Sequence, residues 1–290
     1  MLGARALVLL ARPKGTALLL VVPLLGYGFA HWDHAIEARR PIALLAVLAA
    51  WALLSAGSLW LNAALDGDEA CGTLFGARVG HAGARIEVTR AGYVALGLAT
   101  AVAFVADALA GLACAACAIL AVLYSHPRTR WKARPVLGPW VNGVGYGVLS
   151  WLAGWSIARV PMTARTAAAM TLLTLFIVGM CFAAQAYQRD DDMRRGYRTL
   201  VVTRGPEACL FVAATCARVT VASVAVLAVM GVYPRLVLLG LPVFVLAERT
   251  MARWRRAPAG GSPTLAAEFA LRMLAGGVVL VGLATVEALQ

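Results

Sequence analysis

Long apolar runs separated by short polar segments dominate the pattern of this chain. They fall at about residues 16–32, 41–64, 91–107, 108–124, 138–158, 166–187, 206–231, 233–247 and 265–288. A run of about twenty apolar residues can cross the ~30 Å hydrocarbon core of a bilayer as a helix. The pattern therefore predicts an all-α membrane protein with nine transmembrane helices. Because no long polar linker divides the runs, we expect one polytopic domain over residues 1–290.

The composition supports a membrane protein. Hydrophobic residues make up 61% of the chain and charged residues 14%, whereas soluble domains carry roughly 25% charged residues. The formal net charge is +12, and the arginines lie mainly in short loops between the apolar runs. Such loops favour contact with the anionic headgroups of membrane lipids, so we do not expect a nucleic-acid partner.

The distribution of positive charge predicts the orientation in the membrane. With the N-terminus in the cytoplasm, the inner segments contain nineteen Lys and Arg residues and the outer loops contain five. Since positively charged loops tend to stay in the cytoplasm, we expect the N-terminus inside and the C-terminus outside. The alanine- and arginine-rich composition is typical of a GC-rich bacterial gene and favours a bacterial inner membrane.

A few polar side chains interrupt the apolar runs. Cys114 and Cys117 have CxxC spacing, but their neighbours are apolar, so we interpret them as packing residues and not as a metal or redox site. Arg218 and Arg272 need a carboxylate, water or the membrane interface to offset the cost of a charge in hydrocarbon. Glu268, four residues before Arg272, is its predicted partner.

The first of two acidic clusters follows the second apolar run. It contains Asn62, Asp66, Asp68 and Glu69. If the helix continues past Gly67, three of them, Asn62, Asp66 and Glu69, lie on one face. Amide and carboxylate oxygens suit Mg²⁺, which binds through one or two carboxylates together with phosphate oxygens and water. The same charges are also compatible with an ordinary solvated loop.

The second acidic cluster follows the sixth run. Gln188, Asp191 and Asp192 share a helical face, and Gln185 lies one turn earlier. Asp190 points away from this face and is expected to pair with an arginine. Two oxygen-rich faces at cytoplasmic helix ends predict a clamp for a diphosphate and its metal ions, although this cluster too is compatible with solvated loop charge.

A basic loop over residues 124–135 completes the candidate chemistry. Four cations fall within seven residues of it: Arg128, Arg130, Lys132 and Arg134. Guanidinium groups bind phosphate oxygens in a fork, and a lysine acts as a point charge, so the loop suits a diphosphate. Retention of positive loops in the cytoplasm explains the same charges equally well.

Together, the three segments resemble those of the UbiA superfamily of intramembrane prenyltransferases. The basic loop is similar to the family's Tyr-Ser-x-Pro-Pro-x-Arg-x-Lys stretch at Tyr124, Ser125, Pro127, Arg130 and Lys132. The first cluster resembles the Asn-Asp-x-x-Asp-x-x-x-Asp motif at Asn62 and Asp66. The second resembles Asp-x-Asp/Glu-Asp-Asp-x-x-x-Gly followed by a basic residue and Ser/Thr, with matches at Asp190, Asp191, Asp192, Gly196, Arg198 and Thr199. The Arg12-Pro13 pair before the first run also resembles the family.

The resemblance covers nearly the whole chain and implies a UbiA-type bundle of nine helices. It also implies transfer of an isoprenoid chain from a polyprenyl diphosphate to an electron-rich acceptor such as an aromatic ring, with Mg²⁺ as cofactor. Metal ligands by this resemblance are Asp66, Asp68, Glu69, Gln188, Asp191 and Asp192. Catalytic residues are Asp66, Asp192, Lys132 and Arg130, and substrate contacts are Asn62, Tyr124, Arg128, Arg130, Lys132, Asn142 and Arg198.

Some of these residues have a second interpretation. Asn142 lies within a span beside several glycines and is expected to line the cavity or to hydrogen-bond across helices. The rings of Tyr124, Trp140 and Tyr187 can stabilise a carbocation through their faces. Aromatic anchoring at the membrane interface is the commoner role of such residues.

Three departures from the family motifs leave other functions open. Ala63 and Ala70 replace aspartates of the first motif, and Gln188 replaces the leading aspartate of the second. Asp68 and Glu69 lie within one turn of Ala70 and are expected to compensate. The alternatives are cyclisation of the isoprenoid by the same carbocation chemistry, and a non-catalytic protein that binds isoprenoids.

Overall fold

The computed structural model describes residues 4–34, 40–66, 85–257 and 263–287, and within these ranges every regular element is helical. Its α-helices are α1 Ala4–Leu10, α2 Pro13–His34, α3 Pro41–Asp66, α4 Arg85–Ala106, α5 Ala108–Ser125, α6 Leu137–Asn142, α7 Ser150–Ser156, α8 Ala164–Gln185, α9 Arg189–Arg194, α10 Leu200–Val229, α11 Leu241–Arg256 and α12 Pro263–Glu287. Two short 3₁₀ helices, Trp131–Ala133 and Arg235–Gly240, and a π-helix, Gly143–Leu149, lie between them. The all-α prediction is confirmed for the described residues.

Six helices in the described part of the chain are long and apolar enough to cross a membrane. They are Gly15–His34 within α2, together with α3, α4, α5, α8 and α10. Length and composition on this scale are those of a multi-pass membrane protein. They do not establish the predicted number of nine spans.

The fifth predicted span, residues 138–158, is not one regular helix. α6 ends at Asn142, the π-helix follows, and α7 resumes at Ser150. A Cβ atom at Gly147 would lie 2.9 Å from Thr174 Cα, so glycine allows the π-helix to pack closely against α8. π-Helical segments are uncommon and often lie at functional sites.

The predicted bounds of the eighth span, residues 233–247, are wrong. A 3₁₀ helix occupies Arg235–Gly240, and α11 then continues to Arg256. The second half of α11 carries four arginines, and Glu248 directly precedes it. The apolar pattern therefore marked only the first half of an amphipathic helix.

The first of two compact units contains Met1–Tyr27, Ala38–Arg130 and Leu149–Arg159. Within it, α3 packs against α4 and α5. Cys114 and Cys117 are buried in its apolar core beside Trp51, which confirms that they are packing residues. Asp107 Oδ1 accepts a hydrogen bond from the amide of Leu109 and caps α5, so the predicted division between the third and fourth spans is also confirmed.

The second unit contains Gly28–Glu37, Trp131–Val148 and Val160–Gln290. Within it, α8 packs along α10, and α11 packs against α12. The two arginines that fall within the predicted spans are paired. Arg272 Nη2 lies 2.6 Å from Glu268 Oε1, as predicted, and Arg218 Nη2 lies 2.7 Å from Glu248 Oε2.

Candidate active-site segments

In the first unit, the described residues of the first acidic cluster lie on the last turn of α3. Asn62 and Asp66 are one helical turn apart and share a face, as predicted. Ser125 Oγ, which is buried at the end of α5, donates a long hydrogen bond of 3.5 Å to Asn62 Oδ1. This contact joins the first acidic segment to the start of the basic loop. Asp68 and Glu69 lie outside the described residues.

The basic loop begins with a tight turn after α5. Thr129 Oγ1 donates to the carbonyl oxygen of Leu123 at 2.6 Å, and the Arg130 amide donates to the carbonyl oxygen of His126 at 2.9 Å. Arg130 has a φ of 42°, in the left-handed region that non-glycine residues rarely adopt. Such strain is often stored at functional sites. The turn leaves the side chains of Arg128 and Arg130 exposed.

The rest of the basic loop belongs to the second unit, where Lys132 is buried. Lys132 lies on the 3₁₀ helix Trp131–Ala133, and only 7% of its surface is exposed. Its Nζ lies 5.9 Å from the centre of the Tyr197 ring. The guanidinium carbon of Arg195 lies 6.0 Å from the same ring centre. Tyr197 therefore stabilises two cations beside the second acidic segment, by cation–π attraction.

A backbone contact connects the basic loop to the second acidic segment. The Arg198 amide donates a hydrogen bond of 2.9 Å to the carbonyl oxygen of Ala133. Because Lys132 directly precedes Ala133, this contact fixes the lysine near the end of the acidic segment. The side chain of Arg198 is exposed.

Asp192 is the buried member of the second acidic cluster, with 5% of its surface exposed. Its Oδ2 accepts a hydrogen bond of 2.7 Å from Thr199 Oγ1. Its carbonyl oxygen accepts one from the Tyr197 amide at 2.9 Å, and its amide donates to the carbonyl oxygen of Gln188. Lys132, Asp192, Tyr197 and Thr199 thus form one buried polar group, which is the strongest candidate for a catalytic centre in the second unit.

Two expectations for this segment need correction. Among the described residues, Asp190 is exposed and forms no ion pair, whereas Asp191 forms one with Arg194. The helix is also not continuous from Gln185 to Asp192. α8 ends at Gln185 and α9 begins at Arg189, so the helical face runs only from Gln188 onward.

Gln188 precedes α9, and its Nε2 lies 3.4 Å from the hydroxyl oxygen of Tyr187. Gln185 is 8% exposed, and its Oε1 is a buried acceptor with no hydrogen-bond partner among the described residues. An unsatisfied buried acceptor costs roughly 1–3 kcal/mol. Gln185 therefore offers an acceptor to a donor that the described residues do not supply.

The other predicted contacts lie in more ordinary surroundings. Asn142, at the end of α6, hydrogen-bonds the Cys181 thiol on α8, so it contacts a neighbouring helix. Trp140 is 49% exposed, while Tyr124 and Tyr187 are partly buried.

Sequence reasoning missed Tyr197 and the contact between Thr199 and Asp192. The motif match included Thr199 but gave it no role, and Tyr197 occupies a position that the motif leaves unspecified. A buried tyrosine beside two cations is apparent only in three dimensions. The one available signal in the sequence was the position of Tyr197 between two arginines, Arg195 and Arg198.

The oxygen donors of the two acidic segments are of the kind that Mg²⁺ binds. No group of three or more His, Cys, Asp or Glu residues that could hold a metal occurs within the described ranges. Mg²⁺ does not need such a group, because it keeps water and takes phosphate oxygens alongside one or two carboxylates. Asp66 supplies an oxygen donor of this kind in the first unit, and Asp191 and Asp192 supply two in the second. Taken separately, each set fits a metal that binds together with a phosphorylated substrate.

Family comparison agrees with these segments. The model of the UbiA prenyltransferase family matches residues 19–273. The chain belongs to this family. Comparison with curated protein sequences finds no match.

Solved structures of UbiA homologues have the same fold. One from Archaeoglobus fulgidus, solved with DMAPP and Mg²⁺, superposes with a TM-score of 0.71 at 20% identity, covering 96% of this chain and 99% of that one. A homologue from Aeropyrum pernix K1 has a TM-score of 0.67 at 15% identity, covering 96% and 98%. A structure described for digeranylgeranylglyceryl phosphate synthase has a TM-score of 0.66 at 16% identity, covering 98% of both chains. At these identities the likeness establishes the UbiA fold.

Proposed function

We propose that this chain is a Mg²⁺-dependent intramembrane prenyltransferase. It transfers an isoprenoid chain from a polyprenyl diphosphate to an electron-rich acceptor, such as an aromatic ring. The observation that carries the proposal is the buried group formed by Lys132, Asp192, Tyr197 and Thr199. It combines a cation, a carboxylate and an aromatic ring on the segments that carry the family motifs. The A. fulgidus homologue solved with DMAPP, and again with GPP, supports this class of substrate.

The proposed roles follow the chemistry of each side chain. Arg130 and Lys132 bind the diphosphate and lower the charge on the leaving group. Asp66 and Asp192 are the principal metal ligands, and the remaining ligands are Asp68, Glu69, Gln188 and Asp191. Asn62, Tyr124, Arg128, Asn142 and Arg198 are proposed to contact the substrate. When bound, Mg²⁺ neutralises charge on the departing diphosphate.

The reaction breaks the bond between the allylic carbon and the diphosphate oxygen and forms a bond from that carbon to the acceptor. Diphosphate leaves with the bonding electron pair, and the acceptor loses a proton. The exclusion of water by surrounding helices would protect the cation from hydrolysis. We also propose nine membrane spans in a single domain of a bacterial inner membrane, with the N-terminus in the cytoplasm and the C-terminus outside.

The proposal is tested by measuring diphosphate release from farnesyl and geranylgeranyl diphosphate in lipid nanodiscs. We expect release that requires both Mg²⁺ and an acceptor from a panel of phenolic compounds, and that stops with EDTA. Release without an acceptor, with a hydrocarbon product, would instead identify a cyclase. Retention of the intact isoprenoid diphosphate with no release would identify a binding protein. The departures from the family motifs at Ala63 and Gln188 are the reason for including this alternative.

A further inference from the structure

Thr199 occupies the N-cap position of α10 but does not cap it. Its backbone is extended, with φ −67° and ψ 167°, and its side chain makes no hydrogen bond to the amides of the first turn. A threonine at this position usually contributes about 1 kcal/mol by accepting such a bond. Here the hydroxyl donates instead to Asp192 Oδ2 at 2.7 Å, and only 2% of the Thr199 surface is exposed.

A second N-cap threonine in the same unit shows that capping and carboxylate binding are compatible. Thr163 Oγ1 accepts a hydrogen bond from the Thr166 amide at 3.1 Å and caps α8. The same hydroxyl donates to Asp33 Oδ2 at 2.5 Å. A threonine can therefore hydrogen-bond a carboxylate and cap its helix at the same time. The orientation of Thr199 is therefore set by Asp192 and not by helix termination.

The backbone between the two residues is shaped to bring them together. Gly196 adopts a φ of 68°, which a residue with a side chain rarely tolerates. The Tyr197 amide then donates to the Asp192 carbonyl oxygen, and the Arg198 amide donates to Ala133. These hydrogen bonds turn the chain back, so that the side chain of Thr199 contacts that of Asp192, seven residues earlier.

We propose that Thr199 is a positioning residue that orients the Asp192 carboxylate for binding of a metal–diphosphate complex. The inference rests on the proposed function and deepens it. The hydrogen bond from the Thr199 hydroxyl to one carboxylate oxygen restricts rotation of the Asp192 side chain. The carboxylate is therefore already oriented when the metal binds. Removing such outer partners of a metal ligand typically costs about 10- to 100-fold in metal affinity.

The test compares three variants of the full-length protein in nanodiscs. Thr199→Val keeps the size of the side chain and removes the donor, whereas Thr199→Ser keeps the donor. Thr203→Val is the matched control, because its hydroxyl bonds backbone oxygens of Thr199 and Leu200 at an exposed position. Binding of Mn²⁺ is followed by electron paramagnetic resonance, alone and with an unreactive farnesyl thiodiphosphate. Thermal melting is measured in parallel.

We expect Thr199→Val to weaken Mn²⁺ binding with the analogue by about 10- to 100-fold, while Thr199→Ser and Thr203→Val stay close to the wild type. Equal weakening by Thr199→Val and Thr199→Ser would overturn the inference, as would wild-type affinity in a Thr199→Val protein with a lowered melting temperature. Either result leaves the proposed function intact. If the wild-type protein binds neither metal nor analogue, the proposed function fails first.

Discussion

Two buried carboxylates of the second unit, Asp33 and Asp192, contact threonine hydroxyls in different electrostatic surroundings. Asp33 Oδ2 accepts hydrogen bonds from Thr163 Oγ1 at 2.5 Å and Thr166 Oγ1 at 2.8 Å. Its Oδ1 lies 3.4 Å from Arg165 Nε. These contacts place three donors, one of them positively charged, around a side chain that is 2% exposed. Asp33 therefore has the surroundings of a structural carboxylate that joins the end of α2 to the start of α8.

Asp192 lies instead among charges of both signs. Asp190 and Asp191 directly precede it, and the cations of Lys132 and Arg195 lie beside the Tyr197 ring in the same buried region. A metal–diphosphate complex needs both kinds of charge, because carboxylates bind the metal ion and cations bind the phosphate oxygens. Burial alone therefore does not distinguish a structural carboxylate from a functional one. The chemistry of the neighbouring side chains does.

The largest effect on activity is expected at Asp192. Asp192→Asn keeps the shape and removes the charge, and we expect diphosphate release to fall by about 100-fold or more, as for other groups that stabilise transition-state charge. Asp190→Asn is the matched control in the same segment and should retain most activity. Initial rates at saturating Mg²⁺ measure both. Equal losses in the two variants would contradict the distinction between the buried and the exposed aspartate.

The largest effect on stability is expected at Asp33. Asp33→Ala leaves two threonine hydroxyls without their acceptor, and each unsatisfied hydroxyl costs about 1–3 kcal/mol. The ion pair with Arg165 adds little, because the Arg165 side chain is 44% exposed. We expect a clear drop in the melting temperature in detergent, with the metal affinity of the remaining folded protein unchanged. Altered metal affinity at an unchanged melting temperature would show that Asp33 is not structural.

A smaller effect is expected at Lys132, whose charge faces the ring of Tyr197. Lys132→Met keeps the apolar stem and removes the charge, so KM for the isoprenoid diphosphate should rise by about tenfold, the equivalent of one 1.4 kcal/mol interaction. Tyr197→Leu should raise it less, since an exposed cation–π contact contributes about 0.5–1 kcal/mol and a desolvated one about 2 kcal/mol. Steady-state kinetics with varied diphosphate substrate measure both. An unchanged KM would contradict the role of Lys132 in binding the diphosphate, and an unchanged kcat would contradict its role at the leaving group.

The smallest effect is expected at Gln188. Gln188→Asp restores the carboxylate of the family motif, and the added charge should lower the Mg²⁺ concentration needed for half-maximal activity by a few-fold. Gln188→Glu, with a longer side chain, is the control for charge without matched geometry. Titration of the rate against Mg²⁺ checks the prediction. A higher Mg²⁺ requirement in Gln188→Asp would show that the glutamine is not a weakened ligand.

Much of the fold follows from the sequence because apolar length decides which helices form in a membrane protein. The predicted spans at α3, α5 and α8 agree with the structure to within two residues, and the Asp107 cap explains the junction of α4 and α5. The irregular segments between the helices do not follow from the sequence. The π-helix Gly143–Leu149 and the 3₁₀ helix Arg235–Gly240 depend on packing that periodicity does not encode.

The candidate site was predictable in its segments but not in its pairings. Charge and motif spacing identified Asp192 and Lys132. They did not reveal that Thr199 holds Asp192, or that Arg194 pairs with Asp191 and not with Asp190. The contact between Thr199 and Asp192 arises where the chain turns back at Gly196, so spacing along a regular helix misses it. The pair of Asp191 and Arg194 lies within α9 at i,i+3, and it depends on side-chain directions in a helix that begins only at Arg189.

The most direct test of this account maps the metal on the wild-type protein. Fe²⁺ replaces Mg²⁺ in the presence of farnesyl thiodiphosphate, and peroxide then generates radicals that cleave the backbone beside the bound metal. Mass spectrometry locates the cuts. The account predicts cleavage next to Asp192 and next to Asp66, dependent on the analogue, and none next to Asp33. Cleavage beside Asp33, or an unchanged pattern without the analogue, would contradict it.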